Sequence, residues 1–335
     1  MSYVLPGETW ITLSLQNIGD WLTPIMEFFT WLGYPQAYMI LIAIIYWSVD
    51  RKLGLRMAIF LTVVSALNSI LKQAFHAPRP YWVDPGIKAV LVSNGFGMPS
   101  GHAQAATVWL YAGSLLRRRW FWAISITLVL MVGLSRVYLG LHFCSQMLAG
   151  WAIGIIMLIL FIRFESNFLS WFLNRKFKWQ LLIISGISTL LLILGGIFVF
   201  ILRDWEMPAE WIFNAMDDLA GVDETILFSI GFGYVAGYTG SFLGVGLGAL
   251  LNHRRGGFEV RGLWWKRILR SAAGLAVFLA LYGIFMVTAP DQAREALYSI
   301  WRFSGFFVIS FSAIFLVPLL LIRINLLDPG KEKKA

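Results

Sequence analysis

The sequence is short of cysteine, histidine and charge. Its single cysteine, Cys144, excludes an internal disulfide and says little about redox compartment. With four histidines and 13% charged residues, no carboxylate-rich or Cys/His cluster has metal-ligand spacing, so neither a metal nor another cofactor is expected. No charged stretch followed by a short apolar run and a small-residue cleavage site opens the chain, and no removable signal peptide is expected. Internal repeats and low-complexity linkers are missing as well.

Apolar residues are what the chain has in abundance. Of its 335 residues, 59% are hydrophobic, and the mean hydropathy is +0.72. A water-soluble domain of this size could not hide so much apolar surface, so lipid must act as its solvent. A span needs about 20 apolar residues to cross roughly 30 Å of hydrocarbon. Nine stretches qualify, centred near Met39, Val63, Trp109, Thr127, Ile155, Leu190, Val235, Val277 and Ile309. The expected fold is therefore all-α, a polytopic bundle of about nine spans with the N-terminus outside and the C-terminus cytoplasmic. Leu13 to Phe29 reads as an amphipathic stretch lying along the interface.

The net charge of +9 would suit nucleic acid, but its distribution follows topology instead. With the N-terminus outside, the loops on one side hold Arg51, Lys52, Arg56, Arg117, Arg118, Arg119, Arg163, Arg175, Lys176, Lys178, Arg254, Arg255, Arg261, Lys266, Arg267 and Arg270. With Arg323, Lys331, Lys333 and Lys334 at the C-terminus, 20 of 27 basic residues share that side. This is the positive-inside bias, which assigns those loops to the cytoplasm. No nucleic-acid partner is expected.

The chain divides near residue 170. Residues 1–170 hold every histidine except His253 and all the motifs; residues 171–335 supply additional spans, read as free of Asp, Glu, Lys and Arg in their apolar cores. Without ionisable groups inside the membrane, a coupled transporter is disfavoured there. The acidic loop from Arg203 to Glu224 (Asp204, Glu206, Glu210, Asp217, Asp218, Asp223, Glu224) falls outside and reads as a solvated cap, with a lid over an active site as the alternative. Gly231, Gly233, Gly237, Gly240, Gly244, Gly246 and Gly248 sit in one span without a following Lys-Ser/Thr, so they read as close helix packing rather than a phosphate loop.

Three segments carry the chemistry. Lys72-Gln-Ala-Phe-His-Ala-Pro-Arg79-Pro80 leaves the outer end of the second span. Pro99-Ser100-Gly101-His102 turns a loop into the third, and Ser135-Arg136 precedes His142 by a short loop before the fifth. Lys72, Arg79 and Arg136 are cations at outer helix ends, with only Asp84 as a carboxylate nearby in sequence. Such cations crowd together only around an anion, and a phosphate dianion suits both the arginine fork and the lysine point charge. Ser100, Gly101 and His102 open a helix whose free N–H groups favour an anion, with Gly101 letting backbone approach it. Two histidines add groups suited to nucleophilic and acid/base roles near neutral pH.

Together these segments resemble the tripartite signature of the type-2 phosphatidic acid phosphatase (PAP2) superfamily, which includes glucose-6-phosphatase and the vanadium haloperoxidases. The resemblance covers roughly Tyr46 to Ile162. It implies a helical-bundle core and metal-independent hydrolysis of a phosphoester through a phosphohistidine. By resemblance, His142 is the nucleophile and His102 protonates the leaving oxygen, then activates water. Lys72, Arg79, Ser100, Gly101 and Arg136 hold the phosphoryl oxygens. Most members place an aspartate four residues after the nucleophile, where this chain has Gln146. The amide can still accept from the imidazole, though without a negative charge. Glucose-6-phosphatase is similar here, sharing the glutamine, the run Arg79-Pro80-Tyr81-Trp82 and a nine-span plan.

The expected activity is a membrane phosphatase with its site on the extracytoplasmic side. Its substrate would be a phosphomonoester or diphosphate, first a glycerolipid, sphingoid or isoprenoid phosphate amid membrane lipids. A sugar phosphate, or transfer to an acceptor other than water, is the alternative. From another class comes a catalytically silent lipid or phosphate transporter on the same scaffold. Of the remaining residues, His76 reads as a surface or gating group, Tyr81 and Trp82 as interface anchors and Cys144 as packing. His253 falls on the cytoplasmic side, and the tail from Lys331 reads as a plain basic end.

Overall fold

The computed structural model describes residues 5–218, 231–292 and 294–330. Among these, helices α1 (Glu8–Gln16), α2 (Thr23–Leu32), α3 (Pro35–Ile44), α4 (Arg51–Phe75), α5 (Pro80–Val83), α6 (Gly101–Leu116), α7 (Arg119–Tyr138) and α8 (Cys144–Leu173) are followed by α9 (Phe177–Ile201) and α10 (Ala209–Asp218). After the undescribed stretch come α11 (Gly233–Arg254), α12 (Trp264–Val287), α13 (Glu295–Phe311) and α14 (Val317–Arg323). The only described strands, Phe258–Glu259 and Asp328–Pro329, pair antiparallel.

Seven described stretches are long and apolar enough to cross a membrane: Arg51–Val83, Arg119–Tyr138, Cys144–Leu173, Phe177–Ile201, Gly233–Arg254, Trp264–Val287 and Glu295–Arg323. The broken pair Asp20–Leu32 and Pro35–Val49 raises the number to eight if it forms one span. The helix around Trp109 has 16 residues, and the span placed near Val235 is centred later, over Gly233–Arg254. Apolar side chains point outward, as in Ile156 (57% exposed), Ile159 (61%) and Leu182 (59%). Only lipid makes such exposure favourable, and the chain is a multi-pass membrane protein.

The described helices sort into two compact units that interleave along the chain. One takes its residues from 1–34, 67–160 and 194–232, the other from 35–66, 161–193 and 233–335. All the sequence-predicted site residues lie in the first. There α2 packs on α7 and α10 on α5. The N-terminal stretch is amphipathic: Met26 and Thr30 are buried while Trp21, Phe28 and Trp31 face outward.

In the second unit, α11 packs along α13 on its glycines: a Cβ at Gly240 would run into the Phe303 carbonyl, and one at Gly244 would lie 2.5 Å from the Phe307 carbonyl. Of two π-turns, Ile45–Val49 and Ser312–Leu316, the second releases helix carbonyls that find donors on the first. Trp47 Nε1 donates to the Ala313 carbonyl (2.8 Å) and Tyr46 Oη to that of Ile314 (3.0 Å).

Two arginines correct the expectation that this half lacks helical cations. Arg270, placed by sequence in a loop, is helical and 1% exposed. Its guanidinium donates to the carbonyls of Leu326 (2.6 Å), Val260 (3.0 Å) and Arg261 (2.7 Å). Arg302, inside α13, donates to the Gly233 carbonyl (3.1 Å) and the Tyr298 hydroxyl (3.1 Å) and lies 4.4 Å from the Tyr234 ring. Carbonyls and aromatic faces make these cations tolerable where water is scarce.

Candidate active site

The first motif begins where α4 must stop. Pro78 and Pro80 disfavour helix in the residues before them, so the chain leaves α4 at Phe75, turns at His76 and is extended at Arg79, the residue preceding the short α5. Arg79 is 1% exposed and heavily bonded. Its Nε donates to the Gly95 carbonyl (2.7 Å), Nη1 to that of Leu141 (2.8 Å) and Nη2 to that of Asn94 (2.7 Å). Lys72 Nζ donates to the Phe96 carbonyl. One loop, Asn94 to Phe96, thus folds over both cations.

The second motif opens α6. Ser100 is its N-cap, with Oγ accepting weakly from the Ala103 N–H at 3.5 Å. Asn68 of α4 donates to the Pro99 carbonyl (3.3 Å) and to Gln104 Oε1 (2.7 Å), tying the two helices. A Cβ on Gly101 would lie 2.9 Å from Asn68 Oδ1, so the close approach depends on glycine. His102 meets the Tyr34 ring edge-on at 5.0 Å, and its buried Nε2 has no hydrogen-bond partner.

The third motif is a tight return between α7 and α8. Gly140 adopts φ +73°, and the Leu141 and His142 N–H groups both donate to the Arg136 carbonyl. A side chain at Gly140 would suffer both the positive φ and a collision with the Lys88 carbonyl. Arg136 Nη1 donates to Thr30 Oγ1 (2.8 Å) and Nη2 to Ser93 Oγ (3.3 Å), leaving its buried Nε without a partner.

Gln146 joins all three segments. Its backbone carbonyl accepts from the Ser100 N–H (3.0 Å), and its side-chain Nε2 donates to the Pro78 carbonyl (2.7 Å). The second bond identifies Nε2 as the amide nitrogen, so Oε1 faces His142 Nδ1 (3.3 Å) and the Phe143 N–H (3.1 Å). His142 therefore carries its proton on Nδ1. Its Nε2 keeps a lone pair directed toward Arg79 Nη1, 3.4 Å away. Burial, then the positive charges of Arg79, Lys72 and Arg136, and then His102, hold His142 well below the usual imidazole range. Lys72, Arg79, His102 and Arg136 thus lie close around His142, and Ser100 is bonded to Gln146 beside it.

No ion pair among the described residues involves Lys72 or Arg136. Asp84 is occupied locally, accepting from the Gly86 N–H at 2.9 Å. Such a cluster of cations is incomplete until an anion joins it.

Above the cradle lies an aromatic layer. His76, which adopts φ +34°, meets the rings of Phe96 (6.1 Å) and Trp205 (5.5 Å), and Trp205 meets Phe96 (5.6 Å) and Trp211 (6.2 Å). Tyr81 and Trp82 are fully buried, which corrects their reading as interface anchors. Tyr81 Oη donates to the Ser93 carbonyl (3.1 Å), and Asn214 Nδ2 donates to that of Trp82 (3.1 Å). The acidic segment after α9 is two-faced. Asp204 and Glu210 are exposed, while Trp211 and Ala215 are buried against Trp82 and Phe96, so it is a packed cover rather than a wholly solvated cap. The side chains of Asp217 and Asp218, and residues Asp223, Glu224, Lys331, Lys333 and Lys334, lie outside the described residues. Cys144 packs with Ala103, Val137 and Met147, and His253 belongs to the second unit.

Sequence reading missed Thr30, Tyr34, Asn68, Ser93 and Gly97. A Cβ at Gly97 would lie 2.5 Å from Gln146 Oε1, so this glycine admits the amide. Apart from small and polar residues near the motifs, nothing in the sequence marked them.

Comparison with known proteins follows the same lines. The PAP2 superfamily profile matches residues 53–170, and one for the transmembrane extension of PAP2 superfamily phosphatases matches residues 236–332. Sphingosine-1-phosphate phosphatase 1 of Rattus norvegicus is 33% identical over 190 residues, 53% of this chain and 42% of that protein. The chain thus spans less than half the length of that relative. Glucose-6-phosphatase 3 of Rattus norvegicus is 26% identical over 276 residues, 74% of this chain and 76% of its own. A solved structure, the first transmembrane PAP2 type phosphatidylglycerolphosphate phosphatase from Bacillus subtilis, shares 21% identity over 52% of this chain and 90% of that one, with a TM-score of 0.41. With the three motifs meeting around His142 and two profiles of one superfamily matched in chain order, this chain belongs to the PAP2 superfamily.

Proposed function

We propose that this protein is an integral-membrane phosphoric ester hydrolase that acts on a lipid phosphate through a phosphohistidine, without a metal. The observation that carries the reading is the His142 environment: Nδ1–H turned to Gln146 and an unprotonated Nε2 facing Arg79, with Lys72 and Arg136 close by. His142 Nε2 attacks phosphorus, the bond to the ester oxygen breaks, and His102 gives that oxygen a proton. Water then attacks the phosphohistidine, losing its proton to His102 as the P–N bond breaks. Lys72, Arg79, Arg136, the start of α6 at Ser100 and the close backbone at Gly101 hold the phosphoryl oxygens. Positioning and charge stabilisation supply most of the catalysis. Residues 1–170 form the catalytic core in this reading, and residues 171–335 are accessory except where the Trp205 segment covers the site.

The aromatic layer supports a lipid substrate. Phe96 receives Lys72 on its carbonyl and presents its ring to Trp205 and His76, so apolar surface begins where the phosphate cradle ends. The positive-inside distribution supports a site opening on the extracytoplasmic side, with about nine spans and an outer N-terminus. A glucose-6-phosphatase-like activity is the second reading, favoured by Gln146 and by the likeness across 74% of the chain.

Protein in detergent with chelator is expected to release phosphate from sphingosine 1-phosphate or phosphatidic acid faster than from glucose 6-phosphate, and His142→Ala to reduce release to background. Undiminished release by His142→Ala would discard the nucleophile and return a different-site reading, whereas no release by the wild type would return the silent scaffold. Preference for glucose 6-phosphate would select the second reading.

A further inference from the structure

We infer that Glu8, in the N-terminal helix, is a positioning residue for the nucleophile, supplying the helix cap that α8 cannot supply for itself; this rests on the catalytic reading above. Helix α8 starts at Cys144, and the Phe143 carbonyl accepts its first intrahelical bond, from Met147 N at 3.1 Å, so Phe143 is the N-cap. An N-cap side chain ordinarily accepts from the second or third helical N–H, and phenylalanine cannot. Gln146, the third helical residue, reaches back to the Phe143 N–H in the manner of a capping box, but that leaves the Ser145 N–H. Glu8 Oε1 accepts it at 2.7 Å across 137 residues of chain.

Glu8 is built for this place. It is 4% exposed, joins no ion pair among the described residues, and uses its other oxygen to accept from the Leu5 N–H at 3.0 Å. A buried carboxylate without a cation persists only where donors hold it, and a helix N-terminus offers both N–H groups and a favourable dipole. Helix α1 is held in turn by Gln16, whose Nε2 donates to the Lys88 carbonyl (2.8 Å) while Oε1 accepts from the Lys88 N–H (3.3 Å).

The consequence is local and specific. The turn that Glu8 closes contains Gln146, whose Oε1 accepts from His142 Nδ1 and keeps Nε2 unprotonated. When the cap is lost, the first turn frays, Oε1 leaves the imidazole, and both tautomers become populated. The carboxylate also puts a negative charge at the helix that follows the nucleophile, in a chain whose residue 146 carries none.

The test uses full-length protein in detergent, labelled with 15N-histidine, near pH 7 where His142 is neutral. Its signals among the four histidines are those lost in His142→Ala. Wild type and Glu8→Gln, which keeps an acceptor, are expected to show the Nδ1–H tautomer alone. Glu8→Ala is expected to show a tautomer mixture, with kcat down about tenfold and KM within about twofold. A single Nδ1–H tautomer in folded Glu8→Ala overturns the proposal. Should Glu8→Ala not fold, Glu8→Met, of similar volume without an acceptor, carries the same measurement. If neither folds, Glu8 serves folding alone and the positioning role is lost. The tautomer is read without turnover, so a protein that releases no phosphate defeats the catalytic reading while leaving Glu8 separately decided.

Discussion

Arginine is buried in both units, and the two settings show what marks a ligand site. In the second unit Arg270 spends each guanidinium nitrogen on a carbonyl, and Arg302 divides its donors between a carbonyl, a hydroxyl and aromatic faces. In the first, Arg136 meets hydroxyls rather than carbonyls, keeps an orphaned Nε, and adds its charge to those of Arg79 and Lys72. A buried cation whose donors are filled is structure; converging cations with a donor left over are waiting for an anion. Arg79 stands between the two, with its donors largely filled by carbonyls while facing His142.

The largest expected effect separates these settings by substitution. Arg136→Ala should lower kcat/KM by roughly 10²–10³-fold, as loss of a transition-state donor does, with little change in melting temperature. Equal activity after that change would erase the contrast. Arg270→Ala should do the reverse, leaving kcat per folded molecule intact while three carbonyls lose their donor, at about 1–3 kcal/mol each before relaxation. Thermal unfolding in detergent measures that cost, and an unaltered transition would show the carbonyls finding other donors.

Smaller effects concern Gln146 and pH. In Gln146→Asp the side chain is shorter and cannot donate to the Pro78 carbonyl, so about a tenfold fall in kcat is expected despite the added charge. That carboxylate should also raise the pKa of His142, moving the acid limb of the kcat/KM profile upward. In the wild type the depressed His142 stays neutral in the fold at pH values where the unfolded chain, with its histidine near 6.5, takes up a proton. Its contribution to stability is therefore complete above about 6.5 and declines as pH falls toward its folded pKa. The wild-type acid limb should accordingly lie below 6.5; a limb at or above that value would show His142 to be ordinarily solvated.

Sequence spacing and charge singled out residues that the fold brings together. Lys72, Arg79, His102, Arg136 and His142 stood out because cations and imidazoles are rare among apolar spans, and the first four lie near the fifth in the structure. Arg270 was misplaced because apolar windows treat a charged residue as a boundary, whereas helix carbonyls can hold it inside. Tyr81 and Trp82 were assigned to the membrane interface because amphipathic aromatics favour it; the cover from Trp211 and Asn214 buries them instead.

By itself the sequence determined that this chain lives in a membrane, which rare cations and imidazoles mark its three motifs, and their order along the helices. Tertiary structure alone decided that Gln146 binds three motifs together, that Trp205 packs on His76 and Phe96, and that Glu8 caps the helix that follows His142. Periodicity reports which face of a helix meets lipid, and residue type reports charge. Neither says which distant carbonyl or carboxylate will accept a given N–H, because that choice exists only once the helices have packed.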